Sequence, residues 1–203
     1  MKRTIQHYSD EAQHYYTLYN SVDAENVHGD WHAFLRTVTP GTALDIGAGS
    51  GRDANWLATK GWHVVAAEPA DALRALAQQN AHKQVTWCNA HLPELTTLPQ
   101  QYNTFDLILL SAVWMHLPPS DRPIALAHLA KRLSDHGRMY ISLRFGPSDD
   151  ARPMHPVSYE ELQTLAADNG LVARNLNPVP SEDGLKRDDV KWVTVELMRE
   201  VKK

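Results

Sequence analysis

Three alternating glycines, Gly47, Gly49 and Gly51 in ALDIGAGSGRDANWL, join an apolar run to a helical pattern. Glycine reaches positive φ without steric cost and lets a ligand approach the main chain, while the helix that follows offers unpaired N–H groups. The bend can therefore cradle a polar ligand. A dinucleotide fingerprint requires its third glycine at position 52, where Arg52 stands. No G-x-x-x-x-G-K-[ST] loop occurs, so hydrolysis of a nucleoside triphosphate is not expected. Glu68 closes the next apolar run, HVVAAE, where a carboxylate can accept from both hydroxyls of a ribose. Capping the next helix is its other possible role, but Asp71 is expected to do that itself.

Later segments carry further reactive side chains. His116 in SAVWMHLPP can take a proton near neutral pH, or pack before Pro118. RFGPSDDARPMHP places Arg144, Arg152 and His155 on one loop, and a guanidinium there suits a carboxylate, phosphate or other oxyanion. Arg152 lies beside Asp149 and Asp150, so solvated loop charge is its plainer account; Arg144 ends an apolar strand. Tyr8, Tyr15 and Tyr19 share a helical face with Tyr16 beside it, and core packing is their default. His7 with His14, or His28 with His32, could approach each other, but no carboxylate or cysteine cluster completes a zinc site, and no metal is expected.

Helix is expected over 9–22, opened by Ser9, and again from Asp23 or Asn26 to position 37. Pro40 and Gly41 then punctuate. Strands follow over 42–46, 62–67, 84–88, 105–110 and 138–145, alternating with helices over 51–60, 71–80, 121–133 and 158–168. FDLILL is apolar apart from Asp106, as a parallel strand covered on both faces should be. Strands over 171–177 and 190–199 read as an antiparallel return. The sum is a doubly wound α/β sheet, with ligands beyond the carboxyl ends of its strands near the reversal of strand order.

At roughly 150 residues per domain, 203 residues suggest a single domain. Hydrophobic residues at 43% and charged residues at 22% suit a real core, and a formal charge of −4 without a dense basic run argues against nonspecific nucleic-acid binding. No apolar stretch is long enough to span a bilayer, the start MKRTIQHYSD lacks a signal-peptide core, and Cys88 has no partner for a disulfide; a cytoplasmic protein is expected.

LDIGAGSGR, the strand-end Glu68, WCNAHLPEL and FDLILLSAVWMHL together resemble the class I S-adenosylmethionine-dependent methyltransferases, over roughly 43–203. The layout and GSGRDANWL are further similar to tellurite-resistance methyltransferases. The resemblance implies a Rossmann-like seven-stranded sheet, mostly parallel with an antiparallel C-terminal strand, and S-adenosylmethionine over the glycine loop. It implies that Asp45 orders the loop and the cofactor's amino-acid end, that Gly47, Ala48 and Gly49 approach its methionine part, and that Glu68 takes the ribose. Pro69 would lie beside the adenine, with Asn89 accepting from its amino group, the Ala90 amide donating to the ring and Leu92 along its edge. Ser111 would face the methionine end, with Trp114 and His116 on the substrate side. Residues 1–39 are expected to form a helical lid on the 40–203 core, Tyr15 or Tyr16 shielding the sulfonium with a ring face.

The acceptor is expected to be a small molecule, because no target-recognition domain fits the length and no N-P-P-[YF] segment follows the fourth strand. Arg144 and His155 are its expected contacts beside Trp114. The alternatives are methylation of a protein or RNA, and a regulatory protein that binds S-adenosylmethionine without turnover. Aligning an acceptor with an already activated methyl group needs no strong base.

Overall fold

The computed structural model describes residues 2–200. Its frame is one sheet built from β1 (Thr42–Ile46), β2 (His63–Ala67), β3 (Val85–Cys88), β4 (Phe105–Leu110), β5 (Leu133–Phe145), β6 (Leu171–Asn175), β7 (Ser181–Glu182) and β8 (Lys191–Arg199). The order is β3-β2-β1-β4-β5-β8-β6, with the two-residue β7 paired to β8. All neighbours from β3 to β5 are parallel, and β8 alone runs against the rest. The expected terminal return is thus the β6–β8 pair, with β8 inserted beside β5.

β1 shows why both faces are apolar. Ala43 packs with Leu57, Trp62 and Leu107 on one side, while Leu44 and Ile46 join Ile108, Leu110, Leu126 and Leu129 on the other. Period-two alternation sends neighbours to opposite layers, so a strand covered twice is apolar on both faces, with Asp45 the buried polar exception in β1. Strand order reverses between β1 and β4, which opens a crevice at their carboxyl ends.

The helices are α1 (Lys2–Asp10), α2 (Ala12–Asn20), α3 (Ala24–Val27), α4 (Arg52–Thr59), α5 (Asp71–Gln78), α6 (Arg122–Arg132) and α7 (Tyr159–Asp168). Two expectations are corrected at the N-terminus. The helix expected over 9–22 is two helices broken at Glu11, and Ser9 does not cap either: its hydroxyl accepts the Ala72 amide of α5 at 3.1 Å. The second expected helix is a single turn, α3, capped by Asp23 at the Glu25 amide, followed after Gly29 by a 3₁₀ turn over His32–Arg36. Asp71 does not cap α5 but pairs with Arg74 at 2.5 Å. Among the described residues no helix is long and apolar enough to cross a membrane.

Candidate active site

The turn after β1 is held from below. Gly47 and Ala48 both donate to the Ala67 carbonyl, at 2.8 and 3.2 Å, which ties the loop to the end of β2. Gly47 has φ +65°, and a Cβ on it would come 2.6 Å from Val113 Cγ2, so only glycine fits. A Cβ on Gly49, at φ +55°, would come 3.6 Å from the ring of Tyr19, which lines the same cavity.

Glu68 organises that ligand wall. Oε2 accepts the Gly49 amide and Oε1 the Ala70 amide, both at 2.8 Å, and the side chain is buried at the cavity edge. Burial raises its pKa, against the lowering by the Ala70 and Gly49 amides and Arg74. Each carboxylate oxygen retains capacity for a second donor. Glu68 therefore shapes the turn before α5 and keeps spare acceptor capacity at the cavity edge.

Asp45 lies behind the loop. It is buried near the start of α4 and leaves Oδ2 without a partner. Burial, then the charge of Asp53, push its carboxyl well up. Burial also acts to raise Asp53, but His28 and Arg52 outweigh it and hold that group well below the usual carboxylate range. Arg52, which breaks the dinucleotide fingerprint, forks onto Asp53 with Nε at 2.7 Å and Nη2 at 2.9 Å.

A cavity of about 450 Å³ runs from Gly47, Gly49, Glu68 and Pro69 past Ser111 to His116 and Arg144. Its floor is one face of the sheet: Leu109 and Ser111 follow the line of β4, Tyr140, Ser142 and Arg144 alternate along β5, and Thr194 and Trp192 stand opposite Ser142 and Arg144 on β8. Tyr8 and Tyr19 reach the cavity from α1 and α2, and Asp183 and Arg187 from the segment after β7.

His116 is oriented by two contacts. Nδ1 lies 3.2 Å from the Pro153 carbonyl, which can only accept, so the proton sits on Nδ1 and Nε2 keeps its lone pair. The Tyr8 hydroxyl, 3.3 Å away, donates to Nε2 and in turn accepts from Arg152 Nη1 at 3.2 Å and from the Tyr19 hydroxyl at 3.4 Å. Burial, reinforced by the charges of Arg152 and Arg144, lowers the His116 pKa to about 4. At neutral pH the ring is an uncharged acceptor.

Besides Asp45 behind the loop and Tyr16, whose hydroxyl accepts from Asn80 at 3.0 Å, six residues expected at the site stand outside the cavity wall. Trp114 is fully buried in the core with Leu110 and Leu117, because the 3₁₀ turn Trp114–His116 sends it inward while Met115 and His116 line the cavity. Asn89 is exposed, its amide 3.5 Å from Asp71, and Ala90 and Leu92 are in the core; Pro69 and Leu73 form the wall on that side. Tyr15 is buried against Ala12, Ala70 and Leu73, hydrogen-bonded to His7 at 2.9 Å, with Arg152 5.4 Å from its ring centre. Tyr8 and Tyr19, whose ring centres lie 4.6 and 5.4 Å from that of Tyr15, line the cavity instead. His155 is half-buried and its amide bonds the Met115 carbonyl at 2.8 Å, which fixes the loop that carries Arg152 and Met154.

Tyr140, Ser142, Asp183, Arg187, Trp192 and Thr194 line the cavity but were not legible as site residues. The period-two step back from Arg144 along β5 was the available signal for Ser142 and Tyr140. Nothing local marks the others. Among the described residues no cluster of His, Cys, Asp and Glu could hold a metal ion.

A family profile described as "Methyltransferase domain" matches residues 22–186. The chain belongs to that family. An "Uncharacterized methyltransferase" of Staphylococcus carnosus is 29% identical over 107 residues, 53% of this chain, and the chain spans about half (49%) of that relative's length. A TehB-like SAM-dependent methyltransferase of Corynebacterium glutamicum superposes with a TM-score of 0.62 at 20% identity, covering 85% of this chain and 88% of that one. The Burkholderia thailandensis 1,6-didemethyltoxoflavin-N1-methyltransferase, with 1,6-didemethyltoxoflavin and S-adenosylhomocysteine bound, gives 0.65 at 21% identity over 86% of this chain and 76% of its own. These likenesses establish the shared fold.

The residues present fit a ligand that carries hydroxyl groups and a cationic centre. The glycine turn leaves main chain open to a ligand, Glu68 keeps spare acceptor capacity for hydroxyls, and tyrosine rings roof the cavity where a cation can rest.

Proposed function

We propose that this protein transfers the methyl group of S-adenosylmethionine to a small-molecule acceptor, with residues 1–203 acting as one methyltransferase domain whose first 39 form the lid. The single observation that carries this reading is the continuous cavity joining Glu68 and the glycine turn to His116 and Arg144. At about 450 Å³ it has the size of a small-molecule site. Bound there, the cofactor supplies a methyl group already activated on sulfur.

The chain's own part is placement, exclusion of water and proton handling. Gly47, Gly49 and Glu68 would hold the adenosyl end, and Tyr8 and Tyr19 would close over the cavity and keep water out. An acceptor O–H or N–H that takes the place of the Tyr8 hydroxyl at Nε2 would give its proton there, on the tautomer that the Pro153 carbonyl fixes. Floor hydroxyls at Ser111, Ser142 and Thr194 would orient polar groups of the acceptor. A concave cavity of this size on the sheet face suits a metabolite better than a folded protein or RNA.

Purified protein incubated with labelled S-adenosylmethionine and fractionated metabolite pools should form S-adenosylhomocysteine only with an acceptor present. Cofactor binding without product across broad pools would favour a regulatory binder and sink the enzyme reading.

A further inference from the structure

The arginines of the cavity are not alike. Arg52 is forked onto Asp53, Arg152 lies 3.1 Å from Asp149, and Arg187 is held by both oxygens of Asp183 at 2.8 Å. Arg144, only 8% exposed, pairs with no carboxylate among the described residues. Its one side-chain hydrogen bond there is Nη1 to the Pro147 carbonyl at 2.9 Å, and Nε is buried without an acceptor. A buried cation without a paired carboxylate is costly, and here the repulsion of Arg187 and Arg152 is offset only in part by the charges of Asp183 and Asp189. The direction of its pKa agrees: burial, then Arg187 and Arg152, lower it.

Position separates this charge from the cofactor's end. Arg144 lies on β5 opposite Trp192, while the glycine turn follows β1, with β4 between them. Two strand spacings place the two about 10 Å apart across the sheet. Arg144 also shares the cavity with His116, so a group held by it stands beside the proton acceptor.

We propose that the acceptor carries an oxyanion group, a carboxylate or a phosphate, that Arg144 receives at the β5–β8 end of the cavity. This rests on the methyl-transfer reading only for the word acceptor; the anion site stands on Arg144 itself. A guanidinium fork matches either anion, and supplying the missing counter-charge removes the penalty described above.

Binding of benzoate, phenyl phosphate and neutral benzamide to the full chain loaded with S-adenosylhomocysteine, followed by calorimetry at two salt concentrations, tests this. One of the two anions should bind about tenfold or more tightly than benzamide and weaken with salt, and which one it is identifies the oxyanion. Arg144→Met should lose that advantage, Arg144→Lys should keep part of it, and both should hold S-adenosylhomocysteine within about twofold of wild type, which verifies their fold. Absence of anion binding, equal binding of benzamide, or undiminished anion binding in Arg144→Met overturns the site. Failure of wild type to bind S-adenosylhomocysteine defeats the methyl-transfer reading instead, and the same anion titrations then run on the unloaded chain.

Discussion

The Tyr8 hydroxyl on α1 lies 3.3 Å from Nε2 of His116, a residue 108 positions later on the turn after β4. The contact fastens the first helix to the wall of the cavity, and Arg152 braces it from the loop after β5. Tyr8→Phe removes only this hydroxyl. It should lower stability by about 1–3 kcal/mol and speed hydrogen exchange in α1 while α4 is unaffected, because the hydroxyl joins three hydrogen bonds, with His116, Arg152 and Tyr19, each contributing about 1 kcal/mol. Unchanged exchange in α1 would show that other contacts hold the helix down.

His116, with its pKa lowered to about 4, should stay neutral through the range where a free imidazole charges near 6.5. The sign follows from proton uptake: between those values the unfolded chain binds a proton that the folded chain refuses. Folding stability should therefore fall as pH drops from about 6.5 to 4, by about 3 kcal/mol from this residue, with its contribution fully present above about 6.5. Urea melts of wild type and His116→Asn across that range should show the steeper acid loss in wild type. An NMR titration of the ring midway near 6.5 would refute the lowered value.

Gly49→Val keeps the fold but closes the cradle. A β-branched residue at φ +55° costs about 1–2 kcal/mol, and its Cβ meets Tyr19 at an ordinary 3.6 Å, so the protein should melt a few degrees lower without collapse. Affinity for S-adenosylhomocysteine should drop by at least about tenfold, since the added methyl groups occupy the space a ligand needs beside the main chain. Calorimetry showing undiminished affinity would move the cofactor elsewhere.

Far from the cavity, Arg122 is 1% exposed, donates to Glu161 at 2.5 Å and to the Leu117 carbonyl at 3.2 Å, and ties α6 to α7. Glu161→Ala leaves that guanidinium buried without its counter-charge and should cost about 3 kcal/mol. Arg122→Met should cost less, because it removes the charge along with the pair and leaves Glu161 partly in solvent. Chemical denaturation of both variants gives the order, and a larger loss in Arg122→Met would contradict it.

The strands, α4 and the glycine turn were legible because their signals are local. FDLILL has to be covered on both faces, Gly47 has to adopt positive φ, and Arg52 rules out one class of nucleotide loop, all from neighbours within a few residues. The antiparallel β6–β8 pair also followed from the short polar segment between its strands. The N-terminal helices were misjudged because nothing in their propensities marks the break at Glu11; packing of α1 and α2 against α5, with Ser9 serving α5 rather than its own helix, decided it.

Side-chain direction at the site was a tertiary matter. Trp114 and His116 are two residues apart, and only the turn they occupy sends one into the core and the other into the cavity. The sequence by itself determined a glycine-lined bend before a helix and an alternating α/β sheet, since backbone sterics and hydrophobic periodicity act over short stretches. Which tyrosine faces the cavity, which histidine nitrogen keeps its lone pair, and which arginine is left without a carboxylate were decided by the folded structure, because each depends on partners brought together from distant parts of the chain.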